Sequence, residues 1–175
     1  MNHIGPAPDT LGETFTNVRP DEFRDAMSCL GAAVHIVTTD GVFGKGAFTA
    51  TSVVPVTDSP PMLLVCLNRA AVSGASMRGN AVFCVNTLCE GDRSVADTFA
   101  GRTTLRGVER FRIGEWQTLA TGSPVLRSAV VAFDCRLEEI KAVASHDIYF
   151  GSVTAIRRGV AGPGLIYHGR EYKSL

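Results

Sequence analysis

Gly46-Ala47-Phe48-Thr49-Ala50-Thr51-Ser52-Val53-Val54-Pro55-Val56-Thr57-Asp58-Ser59-Pro60-Pro61 decides how the chain is read. It sets small residues and hydroxyls between two apolar runs and stops at a double proline. Small side chains let a flat ligand approach the backbone, and hydroxyls with free N–H groups suit an anion, because a buried anion left unpaired is costly. Composition alone favours a plainer reading, since threonine is a good strand former. Both readings make the segment a β-strand that ends in a loop at Thr57 to Pro61.

Outward from that strand, short strands dominate. Ala32 to Thr39 is β-branched and closes on Asp40-Gly41, a hairpin signal. Met62 to Leu67 is a short apolar run that reads as a buried strand. Asn68 to Ser73 turns into a brief helix reaching about Met77, and Ala81 to Leu88 is the next strand. Ala129 to Lys141 alternates, with Val131, Phe133, Cys135 and Leu137 on one side and Asp134, Arg136 and Glu138 on the other, a half-buried antiparallel strand. Ile148 to Ile156 follows it after a connector from Ala142 to Asp147. Gly159 to Gly164 is a second connector, and Leu165 to Tyr172 a final hairpin.

Helices are few. Pro20 suits a first helical position, and Phe23, Ala26, Met27 and Leu30 fall on one face. A helix capped by Asp92 or Ser94 turns Val95, Ala96 and Phe99 inward and ends at Gly101. Arg102 to Ser128 is irregular, and so long a loop in a compact domain is functional or lies against a partner. Residues 1–18 lack periodicity and read as a flexible arm; residues 19–175 read as one domain. The fold class is mainly β with a few helices, a β-barrel decorated by helices.

Seventeen basic and seventeen acidic residues cancel, which argues against a nucleic-acid or membrane-surface partner. Five cysteines show no metal-ligand spacing, and the first fifteen residues lack the features of a leader, so a reducing cytoplasm is the expected compartment. No glycine-rich dinucleotide fingerprint, P-loop, zinc motif or nucleophile elbow is present, so a bound cofactor is expected to supply any reactivity.

Three further places suit a ligand. Arg69, with Ser73 at the helix entry, suits a phosphate. Phe99-Ala100-Gly101 offers a wall for a ring. His146, between Ser145 and Asp147, suits a carboxamide or a proton shuttle. Each also has an ordinary structural reading, as a solvated arginine, a core aromatic and a turn histidine.

Taken in order, the segments resemble the short-chain NAD(P)H:flavin oxidoreductases, the reductase components of two-component flavin monooxygenases. The resemblance runs from about Phe23 to Tyr172. It rests on Gly46-x-x-Thr49-Ala50-x-Ser52 with Pro60-Pro61, Asn86, Phe99-Ala100-Gly101 and Ser123-Pro124-Val125-Leu126. His146 before Phe150-Gly151-x-Val153, and Leu165-x-Tyr167-x-x-Gly169-x-x-Tyr172, complete it. It implies a split β-barrel homodimer, flavin-reductase-like, that binds FMN or FAD and takes hydride from NADH or NADPH.

By that resemblance Thr49, Ala50, Thr51, Ser52, Val53, Pro55 and Val56 surround the flavin ring and ribityl chain. Arg69, Ala70, Ala71 and Ser73 meet the phosphate, Phe99, Ala100 and Gly101 lie near the flavin, and Tyr172 helps cover the site. His146 contacts the nicotinamide and is the expected catalytic residue. The family often has Gly-Asp directly before that histidine, where this chain has Ala144-Ser145. The implied reaction brings nicotinamide C4 within about 3–3.5 Å of flavin N5, and reduced flavin then serves a separate monooxygenase. Other flavin-linked outcomes are a reductase acting on a corrinoid or metal chelate, or a split barrel that binds flavin without turnover.

Overall fold

Two strands that follow one another in the chain lie at opposite edges of the main sheet, and this sets the architecture. The computed structural model describes residues 18–159 and 162–175. Strands β1 (Ala32–Ala33), β2 (His35–Thr39), β3 (Gly46–Ala50), β4 (Val53–Asp58) and β5 (Pro61–Asn68) precede β6 (Val82–Thr87). A short hairpin of β7 (Trp116–Thr118) and β8 (Pro124–Leu126) leads to the long strands β9 (Val131–Val143) and β10 (His146–Arg158). Strands β11 (Leu165–His168) and β12 (Glu171–Ser174) end the chain. The helices are α1 (Pro20–Ser28), α2 (Gly74–Asn80) and α3 (Arg93–Phe99). The expected arm, but for Val18, lies outside the described residues, as do positions 160 and 161 of the second connector.

The seven-stranded sheet runs β3-β2-β6-β9-β10-β5-β4. Only Thr51 and Ser52 separate β3 at one edge from β4 at the other. Three peptide steps reach at most roughly 11 Å, whereas seven flat strands about 4.8 Å apart would span nearly 30 Å. The sheet therefore curls until its edges almost meet. The expected single strand across Gly46 to Val56 is instead two strands joined at the seam, with the Ser52 carbonyl accepting from the Cys66 N–H at 3.2 Å.

The curled sheet encloses one core, with Val37, Phe48, Val65, Phe83 and Tyr149 buried inside. A second core forms on the outer face of β2 and β3, where α3 and β11 cover Val34, Ile36, Ala47 and Leu88. The expected strand Ala32 to Thr39 breaks at Val34. There the chain leaves β11 for β6: the Val34 N–H donates to the Leu165 carbonyl and the Val34 carbonyl accepts from Leu88 N–H. Glycine at 46 serves packing rather than a ligand, because a Cβ there would come within 3.3 Å of Ser76 Cβ and 3.5 Å of Ser73 Cβ.

Polar anchors tie the irregular middle of the chain to this frame. Fully buried Asn86 accepts from Leu126 N–H at 2.8 Å and donates to the Ile36 carbonyl at 3.1 Å, fastening β8 across β6 and β2. Asp134, expected on a solvated face, is fully buried, and its carboxylate accepts from Thr121 N–H at 2.7 Å. The β7–β8 hairpin covers that side of β9, so alternation of charge there does not mark solvent. The rings of Phe99, Phe111 and Trp116 meet edge to face at 5.1–5.8 Å, packing the stretch after α3 against its own helix. The connector expected from Ala142 to Asp147 is only Ala144-Ser145, with Ala144 at φ 48°, because β9 and β10 pair up to Val143 and His146.

His35 is buried and pairs its Nδ1 with Thr87 Oγ1 at 3.1 Å. Burial disfavours the imidazolium and lowers its pKa to about 4. The unfolded chain takes up this proton near pH 6.5 and the folded chain only near pH 4, so stability falls as pH drops through that window. Urea titrations between pH 7 and pH 4 are expected to show a loss of about 3 kcal/mol from this group, and His35→Gln is expected to flatten that part of the profile.

Candidate functional site

The seam and the end of α3 build a slot between them. Thr49, Ala50 and Thr51 form one wall, and Ala100, Arg102, Tyr167 and Tyr172 the other, enclosing about 210 Å3. Buried Val95, Ala96 and Phe99 pin α3 against the outer face of β3, and the Thr49 hydroxyl donates to the Ala96 carbonyl at 2.8 Å. That hydroxyl is used in packing, which leaves the exposed Thr51 and Ser52 as the hydroxyls of the run free to meet a ligand. Gly101 follows the helix at φ 79°, a left-handed conformation suited to glycine, and a Cβ there would face open space. Tyr167 and Tyr172 cross edge to face at 5.5 Å, and the Arg102 guanidinium lies 5.4 Å from the Tyr172 ring centre. Burial raises the Tyr172 pKa against the opposing pull of Arg102.

A larger cavity of about 540 Å3 adjoins the slot through the shared residue Ala100. Ala47 and Phe48 enter it from β3, Ala71 and Ser73 from the turn before α2, and Arg106 and Arg110 from the loop after α3. The β3 residues run in order, Ala47 and Phe48 to the cavity and Thr49 to Thr51 to the slot. The two therefore lie end to end over roughly 13 Å of strand. A narrow slot with aromatic and small walls, continued by a wider cationic cavity, has the form of a nucleotide site with a flat ring at one end and an anion at the other.

The expected residues divide. Thr49, Ala50, Thr51, Ala100 and Tyr172 meet at the slot; Ala71, Ser73, Phe99, Ala100 and Gly101 meet at the adjoining cavity. Ser52 faces a third hollow, about 820 Å3, whose walls include Thr51, Val54, Tyr167 and the apolar face of α1. Val53 packs against the inner core, while Pro55 and Val56 lie exposed along β4 and line none of these hollows.

Arg69 and Ala70 line a separate open hollow of about 780 Å3 with Asn68, Ser145 and Asp147. There Asp147, only 4% exposed, takes Arg78 as a close ion-pair partner and Arg69 at 3.8 Å. His146 precedes it at the exposed start of β10, with its Nδ1 2.9 Å from Ser145 Oγ. Successive strand residues point to opposite faces, so His146 faces away from the side that Asp147 and Tyr149 share.

Sequence reasoning missed Arg102, Arg106 and Arg110. Residues 102–112 hold four arginines against the single acid Glu109, a local excess hidden by the zero net charge of the whole chain. Among the described residues no helix is long and apolar enough to cross a membrane, and no cluster of metal-ligating side chains is present.

Comparisons with known proteins identify the family. A family described as "Flavin reductase like domain" matches residues 27–175. The FMN reductase (NADH) RutF of Ancylobacter novellus is 48% identical over 155 residues, covering 89% of this chain and 84% of that protein. The protein of the same name from Escherichia coli K12 is 47% identical over 153 residues, 87% of this chain and 92% of that one. Among solved structures, BorF, the flavin reductase component of a bacterial two-component tryptophan halogenase, superposes with a TM-score of 0.83 at 28% identity. The match covers 90% of this chain and 98% of that one. The NADH:FAD oxidoreductase SgcE6 of Streptomyces globisporus, in complex with NAD and FAD fragments, gives a TM-score of 0.80 at 26% identity, covering 89% and 94%.

The buried Asp147 carboxylate balances two half-exposed arginines. Asp147→Asn is expected to lower the unfolding free energy by about 2 kcal/mol in urea titration, less than a fully desolvated pair because both guanidinium groups reach water.

Proposed function

The chain belongs to the flavin reductase like family, and we propose that it carries hydride from NADH to FMN and releases reduced flavin to a separate monooxygenase. The observation that carries the reading is the slot continued by a cationic cavity along β3, which matches the ring and phosphate ends of a flavin nucleotide. The relatives named as NADH-dependent FMN reductases support the donor and the acceptor. The halogenase component supports a two-component partnership. SgcE6, with its FAD fragment, supports FAD as a second acceptor.

When bound, the flavin supplies the chemistry, accepting hydride from the nicotinamide. The chain's own residues bind and orient. Thr51 and the backbone of β3 flank the slot, Ala50 and Ala100 keep it narrow, and Tyr172 with Tyr167 shields it from water. Arg102 is held by Asp97 at 3.0 Å, which raises the guanidinium's pKa and fixes it at the slot wall beside the Tyr172 ring. His146 stands exposed at the start of β10 and lines none of the hollows; contact with the carboxamide of a nicotinamide is the role that the family resemblance gives it.

The reading includes a homodimer in the cytoplasm. Phe23, Met27 and Leu30 of α1 and Val54 and Val56 of β4 are each about half exposed or more, an apolar surface that a second copy would cover.

Purified protein mixed with NADH and FMN is expected to lose the reduced-nicotinamide absorbance band in a flavin-dependent manner. No loss with either flavin and either nicotinamide would sink the proposal. Ala100→Trp, which fills the junction of slot and cavity, is expected to abolish that turnover with the thermal midpoint unchanged within a few degrees.

A further inference from the structure

His146 stands at the exposed start of β10, yet the residues on either side of it are tightly held. Before it lies the two-residue tip Ala144-Ser145. Ala144 sits there at φ 48°, a left-handed conformation that a non-glycine residue keeps only where its surroundings fix it. The Ser145 carbonyl accepts from the Arg69 N–H at 2.9 Å, and the Ser145 hydroxyl lies 2.9 Å from His146 Nδ1, which leaves Nε2 to meet a substrate. After His146 comes buried Asp147, with Arg78 as a close ion-pair partner and the Arg69 guanidinium at 3.8 Å. Arg69 thus grips both neighbours of His146, one through its main chain and the other through its side chain. Arg78 ties the same point to the core. It belongs to α2, whose Met77 is buried among the inner residues, and its guanidinium lies 3.5 Å from the hydroxyl of buried Tyr149, on the same face of β10 as Asp147.

Resting on the reading in which His146 meets the nicotinamide, we propose that Asp147, clamped by Arg78 and Arg69, is a positioning residue for that histidine and through it for the hydride donor. Neighbouring strand residues point to opposite faces, so a side chain locked on the inner face of β10 sets the direction of the one before it on the outer face. A carboxylate out of water beside two guanidinium groups makes a firm lock, because moving it away leaves a buried charge unpaired. An imidazole beside an unclamped two-residue tip would sample many positions. Hydride transfer is steeply sensitive to such freedom, since a misplacement of about 1 Å costs on the order of 100-fold. Arg69 and Arg78 accordingly serve the clamp.

The test combines steady-state kinetics of the whole protein with FMN and NADH, FMN affinity by calorimetry, and amide hydrogen exchange. Asp147→Asn keeps the shape and removes the charge, while Arg78→Met opens the clamp from the helix side. Thermal melts check that each is folded at the assay temperature. Both are expected to lower kcat/KM for NADH roughly 10- to 100-fold with FMN affinity unchanged, and Arg78→Lys, which keeps the positive charge, is expected to retain most of it. The Arg69 amide, bonded to the Ser145 carbonyl, is expected to lose protection in Asp147→Asn while the amides of β6 keep theirs. Adding Asp147→Asn to His146→Ala is expected to cost nothing further, since the clamp acts through the imidazole. Full additivity of the two overturns the positioning role. So do NADH kinetics unaltered in Asp147→Asn beside a damaged His146→Ala, or a loss confined to FMN affinity. A His146→Ala protein of full activity, or a wild type that reduces no flavin, sinks the nicotinamide reading. Lost protection at the Arg69 amide then leaves the clamp on the tip standing, and full protection sinks both.

Discussion

Two residues, Thr51 and Ser52, must carry the chain from one edge of a seven-stranded sheet to the other, and the rest of the molecule follows from that short bridge. So brief a link is possible only on a tightly curled sheet. Curling gives the sheet an inside, filled by Phe83, Tyr149 and their neighbours, and an outside on β2 and β3 that needs a cover of its own. Helix α3 and the β1–β11–β12 sheet provide that cover. The slot lies where the cover stops short, between the seam and the residues after α3. An unpaired edge usually invites aggregation; here the edge beside the seam becomes a wall of the slot.

Charge is then distributed around this frame by burial. Asp134 and Asn86 are fully buried polar groups, and each accepts from a backbone N–H of the 121–126 stretch, which fixes a segment with little regular structure. Asp147 does the same for two arginines at the mouth of the sheet. Arg106 and Arg110 are the contrast: their partners are carbonyls, and the cavity they line stays positive. The three anchors hold the structure together, while the arginine pair bonds to carbonyls alone.

The sequence made local patterns legible and long-range ones not. The apolar run of β5, the inward face of α3 and the final hairpin of Leu165 to Tyr172 are readable because each depends on residues a few positions apart. The division of Gly46 to Pro61 between opposite sheet edges is not, because edge position depends on pairings as distant as Met62 with Ser152. Asp134 misled for a related reason: alternation marks two faces but not which face another hairpin will cover. At the site, small residues and Phe99-Ala100-Gly101 pointed to the slot, and the ordered resemblance to flavin oxidoreductases pointed to its ligand. Thr49 entered for its hydroxyl, which packing consumes. Arg69 reads from the sequence as a phosphate partner because it precedes a helix, and its 3.8 Å approach to Asp147, seventy-eight positions later, is not visible at that range.

On the proposed function, the flavin ring lies at the seam, in the slot between Thr49 to Thr51 and Ala100 to Tyr172. A crystal structure of the protein grown with FMN tests this most directly. Ring density is expected against Ala50, Thr51 and Ala100. Density for the ring in the hollow beside Arg69 and Asp147, with the slot left to water, would contradict it.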